Sequence, residues 1–396
     1  MSTITQNKQG LKVLITGSIL QLFLGILYVW SVFVMPVSEV YEWRVDSVKL
    51  TSSFMLCFFV IGILFGGNLL PKIGAQKVVL LGGMILAAGM LATAFLPNEA
   101  AWLMYITYGI TGGFGVGTAY NAALSAAQKW FPQNRGFATG VSACAFGFST
   151  VVFAPLVEML VRMSGLRNTF MILAAAFFGV VLLLFKFIRL PDESGAAAAS
   201  SAALLAKKQY TTKETLKTKE FYIIAFSLMF ATATYFVLNP SFKTFAAERG
   251  LSASIGTVVV MITGVANALG RLGAPLLSDK IGREKATLTI ISVTVIGALM
   301  MCFVQGYLFM ATIAVIAFCF GGFPGLYPVL TADYFGIKNV GSNYGAVMMG
   351  FALSALFFPM LIGLIGNVMI KFALLASVAA LGVIMILVLI KFGKKE

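Results

Sequence analysis

A chain of 396 residues that is 60% hydrophobic and 11% charged, with mean hydropathy +0.96, is not built for water, since soluble domains carry about 25% charged residues. Its net charge of +14 is spread between apolar runs as topology signals, which argues against nucleic acid as a partner. There is no His, so a His-based metal site or proton relay is excluded.

A hydrocarbon core about 30 Å thick takes roughly 20 apolar residues per helix. Apolar runs bounded by charge, Pro and Gly predict twelve spans near 12–35, 50–70, 78–97, 101–127, 137–160, 168–190, 221–242, 254–278, 286–304, 307–332, 343–366 and 370–391. The first is longer than a signal-peptide core and no small-residue cleavage site follows it, so it reads as a retained helix. Within it, Gln21 and Tyr28 share a face two turns apart. In the fourth span Gly109, Gly113 and Gly117 recur every fourth residue, and Asn121 continues their stripe with Tyr120 beside it. The glycines read as a close-packing seam, and Tyr120 and Asn121 as either core or ligand contacts.

The longest interruption, from Arg189 to Phe221, passes from Pro and acids through an Ala/Ser tract to a Lys-rich stretch. It reads as a flexible cytoplasmic linker, in which Thr211 to Glu214 ("TTKE") offers a capping box for a short surface helix. Beyond it, Thr232, Tyr235 and Asn239 align in the seventh span, Asn267 and Arg271 in the eighth, and Tyr327 lies among Phe320, Phe323 and Pro328 in the tenth. Cys57, Cys144, Cys302 and Cys319 sit far apart inside apolar runs and read as small buried hydrophobes.

Six spans precede the linker and six follow, and the halves echo each other. Lys72-Ile73-Gly74 recurs as Lys280-Ile281-Gly282, Gly112-Gly113-Phe114 as Gly321-Gly322-Phe323, and Pro155 as Pro359, all at nearly one spacing. The expected fold is therefore all-α and polytopic: twelve transmembrane helices in two six-helix bundles, with domains 1–190 and 220–396 joined by a linker at 191–219. Parallel repeats of this kind are a transporter architecture with the substrate site between halves. Among the 28 Lys and Arg, only Arg44, Lys49, Arg162, Arg167, Lys243, Arg249 and Lys371 fall on the side opposite the majority. The positive-inside rule then puts both termini in the cytoplasm of a cell-membrane protein.

Arg271 alone is left inside a span, after an uncharged stretch from Ile255 through Leu269. An Arg at mid-helix costs at least about 2.5–3.5 kcal/mol on insertion scales. Every one of the fourteen acids falls at a span end or in a loop. Either Arg271 snorkels or bonds helix carbonyls, or its counter-ion is the substrate, a carboxylate held through two parallel hydrogen bonds. Asn267, one turn earlier on the same face, is placed to orient it. Tyr28, Tyr120, Asn121, Tyr235 and Tyr327 supply the apolar walls and polar donors that a small carboxylate needs.

"PLLSDKIGREK" (Pro275–Lys285) resembles the loop signature of the major facilitator superfamily through Asp279, Lys280, Gly282, Arg283 and Lys285. The first-half copy, "GNLLPKIGAQK", is degraded, with Pro71 at the Asp position. The signature reads as a gating loop whose charge contacts lock one conformation, or as charges that only fix topology. Within that superfamily, "GILYVWSVFVMPV", "GGFGVGTAYNAAL", "KWFPQNRG" and "NYGAVMMGFALSA" resemble the oxalate/formate antiporter family and its monocarboxylate-transporting relatives. The resemblance implies a carboxylate bound by Arg271, with Tyr28 and Tyr120 beside it. Oxalate exchangers of the family carry a lysine seven residues after the Tyr of "NYG"; here that position is Phe351, with Met348 a turn earlier. One cation matches one carboxylate, so a monocarboxylate (formate, pyruvate or lactate) fits better than oxalate, with Phe351 and Met348 packing its apolar end.

A multidrug exporter for cations needs buried acids that this sequence lacks, and a membrane carboxylate sensor needs a larger soluble domain than the linker. An enzyme lacks any acid-pair or Cys-pair constellation. The expectation is a secondary transporter without cofactor, acting as a monomer in membrane lipid on a small organic anion.

Overall fold

The computed structural model describes residues 2–191, 208–239, 245, 250, 253–363 and 365–393. Most of the expected linker, and the ends of the spans flanking residue 245, lie outside the described residues. Helices dominate: α1 (Ser2–Leu24), α2 (Trp30–Val40), α3 (Val45–Ala94), α4 (Thr111–Trp130), α5 (Arg135–Leu184), α6 (Thr212–Thr215) and α7 (Lys219–Leu238), then α8 (Ala253–Ile281), α9 (Arg283–Met300), α10 (Gly306–Phe335), α11 (Val340–Val347), α12 (Met349–Gly363) and α13 (Val368–Phe392). An all-helical solution satisfies every backbone polar group internally, as a lipid environment demands. Polar caps start α7 and α13, where two of the apolar runs begin. The Thr218 side chain accepts from the Phe221 N–H at the start of α7, and Asn367 accepts from the Met369 and Ile370 N–H groups at the start of α13.

The expectation of twelve spans in two six-helix bundles is corrected. Among the described residues, seven helices are long and apolar enough to cross a membrane. Two expected breaks are single-residue kinks: α3 and α5 each consist of two helices joined directly at a glycine that leaves helical geometry, Gly74 (φ 81°, ψ 161°) and Gly165 (φ 77°, ψ 169°). The resulting kinked apolar stretches, Ser47–Ala94 and Arg135–Phe187, run to 48 and 53 residues, more than twice the roughly 20 needed for one crossing. The fourth run is divided by a 3₁₀ turn (Asn98–Leu103) and a π turn (Tyr105–Ile110) before α4. The run near 286–304 forms an 18-residue helix whose first turn is charged, Arg283-Glu284-Lys285. The repeat is visible in the backbone: Gly282, the counterpart of Gly74, adopts the same left-handed geometry (φ 92°, ψ 154°) between α8 and α9.

The chain forms two compact units. Unit 1 comprises residues 1–133, 148–206 and 337–345; unit 2 comprises 134–147, 207–336 and 346–396. In unit 1 the glycine stripe that runs from the π turn into α4 is a packing seam. A Cβ at Gly109 would lie 3.1 Å from the Phe54 Cβ, and one at Gly113 or Gly117 would overlap the Met55 or Phe59 carbonyl of α3. Close backbone approach is what small residues give helices in lipid, where no hydrophobic force draws them together. In unit 2, Phe309, Ile313, Phe358, Phe372 and Leu375 pack with Leu238 into an apolar core.

On the linker's described end, Thr211 and Glu214 close the expected capping box. The Glu214 carboxylate accepts from the Thr211 N–H at 2.7 Å, and the Thr211 hydroxyl accepts from the Glu214 N–H at 3.3 Å. These bonds from Thr211 favour the charged form and hold the Glu214 carboxyl below its ordinary range.

Candidate functional site

Arg271 lies on α8 and is 1% exposed. The spacing of four residues puts Asn267 on the same face, and the Arg271 Nε donates to the Asn267 Oδ1 at 2.9 Å. The guanidinium sits over the ring of Phe146, 5.5 Å from its centre, a cation–π arrangement that offsets part of the cost of burial. Glycines let the helices close around it. A Cβ at Gly270 would overlap the Phe318 carbonyl of α10, and one at Gly321 the Asn267 carbonyl of α8.

The aromatic residues of unit 2 form one connected group. Tyr235 of α7 stacks on Phe320 of α10 with ring centres 3.8 Å apart and planes 10° apart. Phe236 packs edge-on against Phe320 at 5.4 Å and against Phe351 of α12 at 4.8 Å. Phe351 and Met348 are buried. Tyr327 stands outside this group: its hydroxyl is 2.9 Å from the Ser227 hydroxyl, and its ring packs on Phe323.

The remaining expected residues belong to unit 1. Tyr28 is half-buried in a 3₁₀ turn, Gly25–Val29, that interrupts the helical run after α1. Tyr120 is buried against Phe59 with ring centres 5.4 Å apart, and its backbone carbonyl accepts from the Gln21 amide at 3.1 Å. The Asn121 Nδ2 donates to the Ile63 and Gly341 carbonyls at 2.6 and 2.8 Å.

The signature loop is the centre of a charge cluster in unit 2. Gly282 breaks the backbone between α8 and α9 so that Asp279 and Arg283 pair at 2.5 Å. The Asp279 Oδ2 also accepts from the Phe137 N–H at 3.1 Å, and Arg283 donates to the Ser278 hydroxyl at 2.6 Å. Asp333, near the end of α10, pairs with Arg135 at the start of α5 and lies 3.6 Å from the Arg283 Nε. Lys280 is exposed. Sequence reasoning treated Arg135 as a topology charge and Asp333 as a span-end acid. Each was visible as a charge, with no local signal joining the two across 198 residues. Phe146 and Gly147 carried no signal.

The family model described as Major Facilitator Superfamily matches residues 15–321 and, in a second match, 224–396. The chain belongs to the Major Facilitator Superfamily. This superfamily member is 27% identical over 349 residues to an uncharacterized MFS-type transporter, YhjX, of Escherichia coli (strain K12), covering 87% of this chain and 85% of that protein. It is 25% identical over 337 residues to the oxalate:formate antiporter of Oxalobacter formigenes, covering 84% and 79%. Its fold is similar to that of the superfamily transporter FucP in the outward conformation (TM-score 0.72, 16% identity, 97% and 99% covered). It is also similar to the xylose transporter XylE from E. coli in a partially occluded inward open conformation (TM-score 0.67, 16% identity, 98% of each chain). As a superfamily member it is a multi-pass membrane protein and a secondary transporter working by alternating access, not an enzyme.

Proposed function

We propose that this protein moves a small monocarboxylate, of the class of formate, pyruvate or lactate, and that Arg271 binds the carboxylate. The observation that carries the reading is Arg271 itself: a cation 1% exposed on an apolar helix, its Nε held by Asn267 and its face by Phe146. A guanidinium oriented in this way matches a planar carboxylate through two parallel hydrogen bonds. The aromatic group of Tyr235, Phe320 and Phe351, with Met348, supplies the apolar side. Tyr28 and Tyr120 of unit 1 and Tyr327 of unit 2 are proposed as substrate contacts, each within its own unit, whereas the Asn121 amide is taken up by the Ile63 and Gly341 carbonyls. Counterflow of labelled pyruvate in proteoliposomes tests transport, and absence of counterflow with any of the three anions would sink the proposal.

A second reading, oxalate and formate exchange, is favoured by similarity to the Oxalobacter protein. The two readings differ in charge count. A dianion needs a second cation, and an unpaired carboxylate is costly to desolvate. Phe351 is packed against Phe236 and Phe320. Phe351→Lys is expected to raise inhibition by oxalate and weaken inhibition by formate, each about tenfold, read as competition against labelled pyruvate. Strong oxalate inhibition of the unmodified protein would favour the exchanger.

The loop group Asp279, Lys280, Gly282 and Arg283, together with Arg135 and Asp333, is proposed as the gate that holds one conformation of the transport cycle. The basic residues at both ends, Lys8, Lys12 and Lys391 among them, support cytoplasmic termini. Cysteines placed at Asn7 and Lys391 are expected to resist an impermeant thiol reagent in intact cells and to react after permeabilisation. Labelling of either from outside would overturn that orientation. Function as a monomer is part of the same proposal.

A further inference from the structure

We propose that Gly147 is a positioning residue for Arg271: the space left by its missing side chain sets where the guanidinium sits. This deepens the carboxylate reading and rests on it. A Cβ at 147 would lie 2.9 Å from the Arg271 Cδ, 3.1 Å from its Nε and 3.2 Å from the Ala268 Cα. A carbon at 2.9 Å forces something to move, and here each escape is closed. The Nε is bonded to Asn267 at 2.9 Å, the guanidinium carbon is 5.5 Å from the Phe146 ring centre, and the Ala268 Cα is helix backbone.

Retreat of α5 is closed as well. Gly136, Gly140 and Gly147 are spaced by four and seven residues and so share a helix face. A Cβ at Gly140 would lie 3.2 Å from the Leu272 carbonyl, and one at Gly136 would lie 2.6 Å from the Pro275 carbonyl. The first turns of α5 therefore lie directly on the α8 backbone. A single methyl at 147 must then either pull Arg271 off Asn267 or lift that stretch of α5. The first is the softer motion, because it bends a side chain and not two helices. Gly147→Ala thereby disturbs the orientation of Arg271 while changing no polar or charged atom.

The test is equilibrium binding of pyruvate and formate to the purified full-length protein, with thermal unfolding of the same samples without ligand. The parent, Gly147→Ala, Arg271→Ala and the double variant form a cycle. Gly147→Ala is expected to weaken binding about tenfold or more, the scale of a lost charge-assisted hydrogen bond. It should also lower the unfolding midpoint of the parent more than that of Arg271→Ala, where only the contact with the Ala268 Cα at 3.2 Å remains. Parent-like binding by Gly147→Ala, or an equal loss of midpoint in both backgrounds, overturns the proposal. If Arg271→Ala binds like the parent, the carboxylate reading fails, while the unfolding cycle still decides whether Gly147 positions Arg271. Should Gly147→Ala not fold, Asn267→Ala removes the same anchor and is expected to weaken binding by a similar factor. Unchanged affinity there overturns the proposal too.

Discussion

Arg271→Gln is expected to weaken binding of pyruvate or formate at least about 30-fold and to abolish measurable counterflow, in a protein that still inserts and folds. Truncating one partner of a buried, hydrogen-bonded charge pair costs about 2–5 kcal/mol, and each 1.4 kcal/mol is a factor of ten. The glutamine is shorter, neutral and unable to present a cationic fork. Folding should survive because the substitution removes a cation from an apolar helix, where its burial was a cost. Arg271→Lys keeps the charge but loses the planar donor geometry and the Nε that bonds Asn267, so it should fail as well. Normal transport by Arg271→Gln would make the residue a structural cation and withdraw the carboxylate site.

Asp333→Asn has the second large expected effect, this time on stability. Its carboxylate serves Arg135 and Arg283, whose side chains are 9% and 11% exposed. Removing one partner of a buried ion pair costs about 3–5 kcal/mol; here Arg135 is left buried without its counter-charge, while Arg283 keeps Asp279. With Asp333 itself 19% exposed, the lower end of that range applies. A thermal-unfolding midpoint several degrees below the parent is the expected reading in detergent. Arg135→Gln should cost a comparable amount, and the double variant no more than the worse single, because both break one network. An unfolding midpoint within error of the parent for Asp333→Asn would show the cluster to be solvent-screened, with no holding role.

What the sequence disclosed, and what it hid, follows from the range of the interactions. The helical class was legible because an apolar chain in lipid has few other ways to satisfy its backbone. Asn267 and Arg271 were legible because one helical turn separates them. The glycine seam of α4 was legible from its period. That a single glycine, Gly74 in α3 and Gly165 in α5, joins two helices with no loop between them was not. A lone glycine between apolar runs writes the same pattern whether it opens a loop or only turns one residue out of helical geometry. Phe146 and Gly147 were hidden for another reason. Neither carries chemistry, and their contacts with Arg271 span more than a hundred positions of chain. Arg135 and Asp333, 198 residues apart, were each visible as a charge, but nothing local joined them.

The opening stretch of α5 has a mechanical consequence. Residues 135 to 147 form one helical rod in unit 2, about 18 Å long at 1.5 Å per residue. Arg135 and Phe137 fasten one end to Asp333 and Asp279, while Phe146 and Gly147 bear on Arg271 at the other. A helix of this length does not compress, so a displacement at either end is delivered to the other, as along a lever. Reciprocity of binding free energies then fixes the bookkeeping. If Arg271 binds an anion as proposed, then by whatever factor release of Asp333 alters that affinity, the bound anion must alter the hold of Asp333 by that same factor.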